Sequence, residues 1–228
     1  MLHVKSIDMC ESLITTGRIV QVVGPSGCGK TYFVCWLLAR QDLFDKPIRN
    51  IYWHSGVEEG EHGPTLKKLC QLKSVCHVKG LPEGWTERPK QYDAIVIDDL
   101  FEEANRDSAT FNTLFTKIAR HRHVTVFFLT QNMFHPGGKH RTRNLNVHYL
   151  VLFKNPRDRT VVDYVARQAF PHVRRDLMKA FEYVTSNSPH SYLFLDLTQE
   201  TPDMFRVKTD VFNSYGYAVI YSESMMRS

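Results

Sequence analysis

The 228-residue sequence has no stretch approaching the ~18 consecutive apolar residues that a membrane-spanning helix needs, so a membrane partner is not expected. It has no internal repeat, no low-complexity tract and no Gly/Ser/Pro-rich linker, which excludes solenoid, collagen-like and beads-on-a-string architectures. Cysteine is scarce: Cys10, Cys28, Cys35, Cys70 and Cys76 are an odd set without framework spacing. That argues against a disulfide scaffold and for reduced, intracellular thiols. The opening Met1-Leu2-His3-Val4-Lys5-Ser6 is not followed by the continuous apolar core of a secretory signal. Together these readings predict a soluble, intracellular protein. The histidines 121, 123, 135, 140 and 148 match no common structural zinc spacing, and Cys70, Cys76 and His77 supply no second pair.

What is present is an ordinary globular composition, 43% hydrophobic and 23% charged, with a net charge of +5. The charge is unevenly spread. Between Lys117 and Lys179 there are 13 Lys and Arg against Asp158, Asp163 and Asp176, a local excess of +10, while the remainder of the chain is net −5. Such asymmetry suggests a polyanionic partner.

Apolar, β-rich runs alternate with helical patterns, the layout of an α/β domain. Strands are expected at Arg18–Val23, Asn50–Trp53, Ala94–Ile97, Val124–Thr130, Tyr149–Phe153 and Tyr192–Leu195. Helices are expected at Thr31–Arg40, Asp107–Arg120, Thr160–Phe170 and Val173–Val184, the last two separated by Pro171. In the third-strand-to-helix region, Phe111, Leu114, Phe115 and Ile118 share one helical face. The division expected is an extension over residues 1–16, one domain over 17–212, and a tail over 213–228 that is weakly ordered or an oligomer arm.

Gly24-Pro25-Ser26-Gly27-Cys28-Gly29-Lys30-Thr31 fits G-x-x-x-x-G-K-[ST], the Walker A phosphate-binding pattern. A buried strand precedes it and a helix follows. Glycines let backbone N–H groups curl around phosphate oxygens, and the helix N-terminus adds its dipole. Lys30 reaches the β- and γ-phosphates of ATP, and Thr31 offers a hydroxyl to Mg²⁺. Cys28 is read as a small residue that fits the loop, with a lowered thiol pKa as the alternative.

Asp98 and Asp99 end a hydrophobic strand, as in a Walker B element. Asp98 is the candidate for Mg²⁺ and Asp99 for orienting the attacking water, with Glu102 and Glu103 as substitutes for the second duty. Leu129-Thr130-Gln131-Asn132 closes the next strand, where a polar amide can meet the γ-phosphate or the water; a strand-end cap is the alternative reading of Gln131. Arg120 and Arg122 are candidates for an arginine supplied to a neighbouring subunit, and Arg157 and Arg159 are lesser ones.

These motifs together resemble the FtsK/HerA branch of P-loop ATPases, and more narrowly its viral DNA-packaging ATPases of the Polinton/Maverick, adintovirus and adomavirus type. The resemblance extends to Gly80-Leu81-Pro82, His121-Arg122, Phe153-Lys154-Asn155-Pro156-Arg157-Asp158-Arg159, Ala166-Arg167-Gln168-Ala169-Phe170-Pro171, Tyr192–Asp196 and Thr201-Pro202-Asp203, and covers residues 17 to 212. Where the family has His-His-Arg-Asn, this chain has His121-Arg122-His123, which leaves the choice between Arg120 and Arg122 open.

The resemblance implies an α/β P-loop NTPase fold of the ASCE, RecA-like kind, with a mainly parallel central sheet flanked by helices. It also implies ATP and Mg²⁺ as cofactors and a homo-oligomeric ring, pentamer or hexamer, around double-stranded DNA. The ring would act at a viral capsid or portal vertex, in the host nucleus or at a viral assembly site. Lys139, Arg141 and Arg143, in a loop after Gly137-Gly138, are the candidate DNA contacts. Two other readings stand beside this one: a superfamily 3-like viral replicative helicase, and a P-loop nucleotide kinase or switch.

Overall fold

The computed structural model describes residues 2–7, 12–56, 68–69, 71, 73–81, 83–100, 103, 108–133, 146–186, 188–213 and 217–222. Among them, ten strands form one sheet in the order β1-β10-β9-β8-β7-β2-β6-β5-β3-β4. The strands are β1 (Leu2–Ile7), β2 (Ile19–Val23), β3 (Asn50–Ser55), β4 (Ser74–Lys79), β5 (Ala94–Asp98), β6 (Thr125–Thr130), β7 (Tyr149–Phe153), β8 (Tyr192–Asp196), β9 (Val207–Thr209) and β10 (Tyr217–Ser222).

From β4 to β7 every neighbour runs parallel. From β7 outward to β1 every neighbour is antiparallel. The expected mainly parallel, helix-flanked sheet of an α/β P-loop NTPase is therefore the fold observed. Central strands such as β2, Ile19-Val20-Gln21-Val22-Val23, are buried throughout. A parallel strand covered on both faces has no solvated side, so its sequence is a run and not an alternation.

Helix α1 (Lys30–Ala39) covers one face, packing Phe33, Val34, Leu37 and Leu38 against Val20, Val22, Val96 and Leu129. On the other face lie two helical pairs. Helix α2 (Ser108–Thr113) passes through a π-helical turn (Leu114–Ile118) into α3 (Ala119–Arg122), which ends at left-handed His123. Leu114 and Phe115 reach the core, and Ile118 is partly buried against it. Helices α4 (Thr160–Ala169) and α5 (Arg174–Ser186) form a hairpin around Pro171, burying Val161, Val165, Leu177 and Phe181.

One expectation is corrected, and one strand lies outside the expected set. Residues 213–228, read as a weakly ordered tail or oligomer arm, contain β10, which pairs along its whole length with β1. The two chain ends thus build one edge of the sheet that carries the phosphate loop. Strand β4 was also not anticipated, because as an edge strand it is only half covered and its residues, Ser-Val-Cys-His-Val-Lys, are mixed in polarity.

At the foot of β8, Asp196 and Lys208 form an ion pair of 2.9 Å with both side chains 5% exposed. Thr198 and Thr201 also donate to the Asp196 carboxylate, at 2.6 and 2.8 Å. Burial alone would raise this carboxyl, but Lys208 and the two threonines outweigh it and hold it below the usual range.

Candidate nucleotide site

The parallel strands β2, β5 and β6 all point their C-terminal ends to the same edge. There the structure gathers the phosphate loop (after β2), the acidic pair (end of β5) and Gln131 (after β6). Backbone bonds tie the three ends together: Gly24 N donates to Thr130 O at 3.2 Å and Asp99 N to Leu129 O at 3.3 Å.

The loop has no room for side chains at its root. A Cβ on Gly24 would lie 2.6 Å from Cys28 Sγ and 2.7 Å from Phe153 Cβ. Gly29, at φ 108°, takes a conformation that L side chains rarely adopt and forms the N-cap of α1 without a side-chain cap. The first turn of α1 carries no acidic residue, so its N–H groups and dipole remain favourable to an anion. This is a cradle that a substituted residue would fill and that fits phosphate groups.

Lys30 is 6% exposed, and its Nζ donates to Gly24 O at 2.9 Å and Pro25 O at 3.2 Å, which holds the ammonium over the loop. Thr31 Oγ1 donates to Asp98 Oδ2 at 3.1 Å. Burial raises the Asp98 carboxyl to about 6; the Thr31 bond and Lys30 oppose this, and the neighbouring Asp99 adds to it. A desolvated carboxylate beside a hydroxyl, facing a phosphate cradle, is the donor set expected for a hard cation shared with phosphates, so Thr31 and Asp98 fit Mg²⁺. Among the described residues no group of three or more His, Cys, Asp or Glu side chains converges.

Asp99, at φ 56°, turns out of the strand and is exposed. Gln131 Nε2 donates to Asp99 Oδ2 at 2.7 Å. This juxtaposition joins the two residues expected to handle the attacking water. Glu103 is exposed and lies against Gly80, with Oε2 3.3 Å from where a Cβ would sit, and Glu102 is outside the described residues. The thiol of Cys28 is pushed up by burial, against the pull of Lys30, so it is a packed residue and not an activated one.

Arg120 and Arg122 close α3, just before β6 begins, and so lie at the end of the sheet opposite their own phosphate loop. Both are exposed; Arg122 Nη1 donates to Thr86 O at 3.3 Å. Arg157 and Arg159 follow β7 and lie at the phosphate-loop edge, where Arg159 pairs with Glu182 at 3.3 Å. Lys139, Arg141 and Arg143 lie outside the described residues. Of the histidines considered as ligands, His121 and His123 are exposed, and His135 and His140 are outside the described residues. Half-buried His148 accepts from Ile19 N at 3.3 Å, and desolvation together with Arg18 lowers it to about 4.

Two contacts at the site had no local signature. His190 Nδ1 donates to Cys28 O at 3.0 Å, and the Phe153 ring closes the wall behind Gly24 and Gly29. Phe153 ends β7, the sheet neighbour of β2, and His190 lies in the turn just before β8; both are distant from the loop in sequence.

No protein-family model matches the chain, and no curated protein is similar to it in sequence. Solved structures are similar in fold. The DNA-packaging ATPase from Sulfolobus turreted icosahedral virus superposes with a TM-score of 0.51 at 11% identity, covering 82% of this chain and 96% of that one. The genome-packaging NTPase from Sulfolobus turreted icosahedral virus 2, in complex with ATPγS, superposes with a TM-score of 0.54 at 13% identity, covering 81% and 94%. The fold is that of a P-loop NTPase. Among the described residues no helix is long and apolar enough to cross a membrane.

Proposed function

We propose that this protein is an ATPase that translocates double-stranded DNA and packages a viral genome into a capsid, as an FtsK/HerA-type ring of five or six copies. The observation that carries the reading is the meeting of Thr31 with Asp98 and of Gln131 with Asp99 at the mouth of one phosphate loop. The fold shared with two viral packaging enzymes, one of them holding an ATP analogue, supports it.

In this reading the loop amides and Lys30 bind the β- and γ-phosphates of ATP. Thr31 and Asp98 are the residues that would hold Mg²⁺, which when bound neutralises charge on the phosphate oxygens. Asp99 accepts from the attacking water, and Gln131 fixes the Asp99 carboxylate and the direction of that water. Arg120 or Arg122, remote from its own loop, serves the phosphate of the next copy in the ring. Lys139, Arg141 and Arg143 contact the DNA backbone without reading sequence, and the capsid vertex is the third partner.

The test is ATP hydrolysis with and without long double-stranded DNA, wild type beside Lys30→Ala. DNA-stimulated hydrolysis that is lost in the variant supports the proposal. Phosphoryl transfer to a small acceptor with no response to DNA overturns it.

A further inference from the structure

Strand β3 ends beside the acidic pair, and its last residue has a side chain the nucleotide motifs do not account for. In the parallel register of β3 and β5, Ser55 stands opposite Asp98. Trp53 and Val96, two residues earlier on each strand, belong to the core on the α1 face, so Ser55 and Asp98 project toward the same face. That is the face from which Thr31 reaches Asp98. Ser55 is 2% exposed, and its Oγ shares a 2.9 Å hydrogen bond with Nε2 of half-buried His77 on β4.

The tip of β3 is already fastened without this pair. Gly80 N donates to Ser55 O at 2.8 Å, and on the opposite face His54 Nδ1 donates to Gly80 O at 3.1 Å. The Ser55 hydroxyl stands on a doubly anchored tip next to half-buried Asp98, the carboxylate bonded to Thr31.

We propose that Ser55 is a positioning residue for the metal–nucleotide centre, and that His77 sets its orientation. The Ser55 hydroxyl donates its proton to His77 Nε2 and thereby turns its lone pairs toward the space beside Asp98. There Oγ accepts from water bound to the cation, so that the cation is held in place by Asp98 and Thr31 directly and by Ser55 through that water. Outer-sphere partners of this kind restrict where the directly bound groups can sit. The inference rests on the reading of this site as a nucleotide centre.

The experiment measures Mn²⁺ binding to the full-length chain with ADP, from the loss of the free-Mn²⁺ electron paramagnetic resonance signal, with thermal melting alongside. Ser55→Ala is expected to weaken Mn²⁺ binding on the order of tenfold. Ser55→Thr restores it, and His77→Asn weakens it without adding to the effect of Ser55→Ala in the double variant. Unchanged Mn²⁺ affinity in folded Ser55→Ala, or fully additive losses in the double variant, overturns the proposal. If Ser55→Ala does not fold, His77→Asn and Ser55→Thr decide the question on the same readout. The nucleotide-centre reading fails separately if wild-type protein binds no Mn²⁺ with ADP, or if Asp98→Asn leaves that binding intact.

Discussion

Gln131 and Asp99, from neighbouring strand ends, are joined by a 2.7 Å hydrogen bond in which the amide nitrogen donates to Oδ2. The amide commits one of its two N–H donors to the carboxylate, and in the proposed reading its carbonyl oxygen and the second Asp99 oxygen accept from the attacking water. Gln131→Ala should lower kcat for ATP about 100-fold and change KM little, since general-base arrangements contribute at least that much. Steady-state kinetics checks it; an unchanged kcat removes Gln131 from the hydrolytic step.

Asp98 predicts a pH dependence of definite sign. Its carboxyl lies at about 6 in the folded chain against an ordinary 3.8. Cation binding needs the ionised form, so Mg²⁺-dependent binding of ATPγS should fall about tenfold per pH unit once the pH drops below 6. Titration calorimetry at a series of pH values measures this.

The same shift speaks to stability. Between the unfolded and folded values the folded chain binds more protons, so without metal its stability decreases as pH rises through that window and stays lower above it. Asp98→Asn should therefore raise Tm by about 3–6 °C at pH 7.5. The gain should vanish near pH 4, while Mg²⁺ binding is lost at every pH.

Gly24→Ala places a methyl within 2.7 Å of both Cys28 Sγ and Phe153 Cβ. The expected outcome is a loss of about 1–3 kcal/mol of stability together with weakened nucleotide binding, because the loop must move to relieve the contact. Denaturant unfolding and a fluorescent-nucleotide titration report the two effects.

The buried pair of Asp196 and Lys208 stands at the end of β8 away from the phosphate loop. Lys208→Met leaves a buried carboxylate without its cation and should cost about 3–5 kcal/mol, with nucleotide affinity unchanged in the folded fraction. Because the Asp196 carboxyl is depressed, the stability it contributes is present above the ordinary carboxylate range and is lost as pH falls through its folded value. The variant should accordingly lose much of that acid-linked contribution, which urea titrations at pH 3 to 7 would show.

The nucleotide site was legible because its chemistry is local. The glycines, Lys30 and Thr31 must be contiguous to form the loop, and Asp98 and Gln131 each terminate an apolar run, so the parallel sheet expected from the pattern brings them together. His190 and Phe153 were not legible as site residues, because nothing in Ser-Pro-His-Ser or at the end of a buried strand encodes the distant loop they touch. Ser55 escaped for a related reason: its meaning lies in its register against Asp98, and register is a property of the pair of strands. The edge strands β1 and β4 were hidden by mixed polarity, since an edge needs only one covered face, and the inner strand β9 by its length of three residues.

Among the described residues strand β1 has a single neighbour, β10, and Leu2 faces Ser222 across that pairing. A chain made from its amino terminus produces β1 well before β10, the strand it pairs with. The parallel centre of the sheet can assemble before β10 exists, whereas β1 waits for β10, and its pairing closes the loop from Ile7 to Tyr217. The outer edge is thus a latch fitted to a finished sheet, and deletion of 217–222 should release β1 and leave β9 as the border.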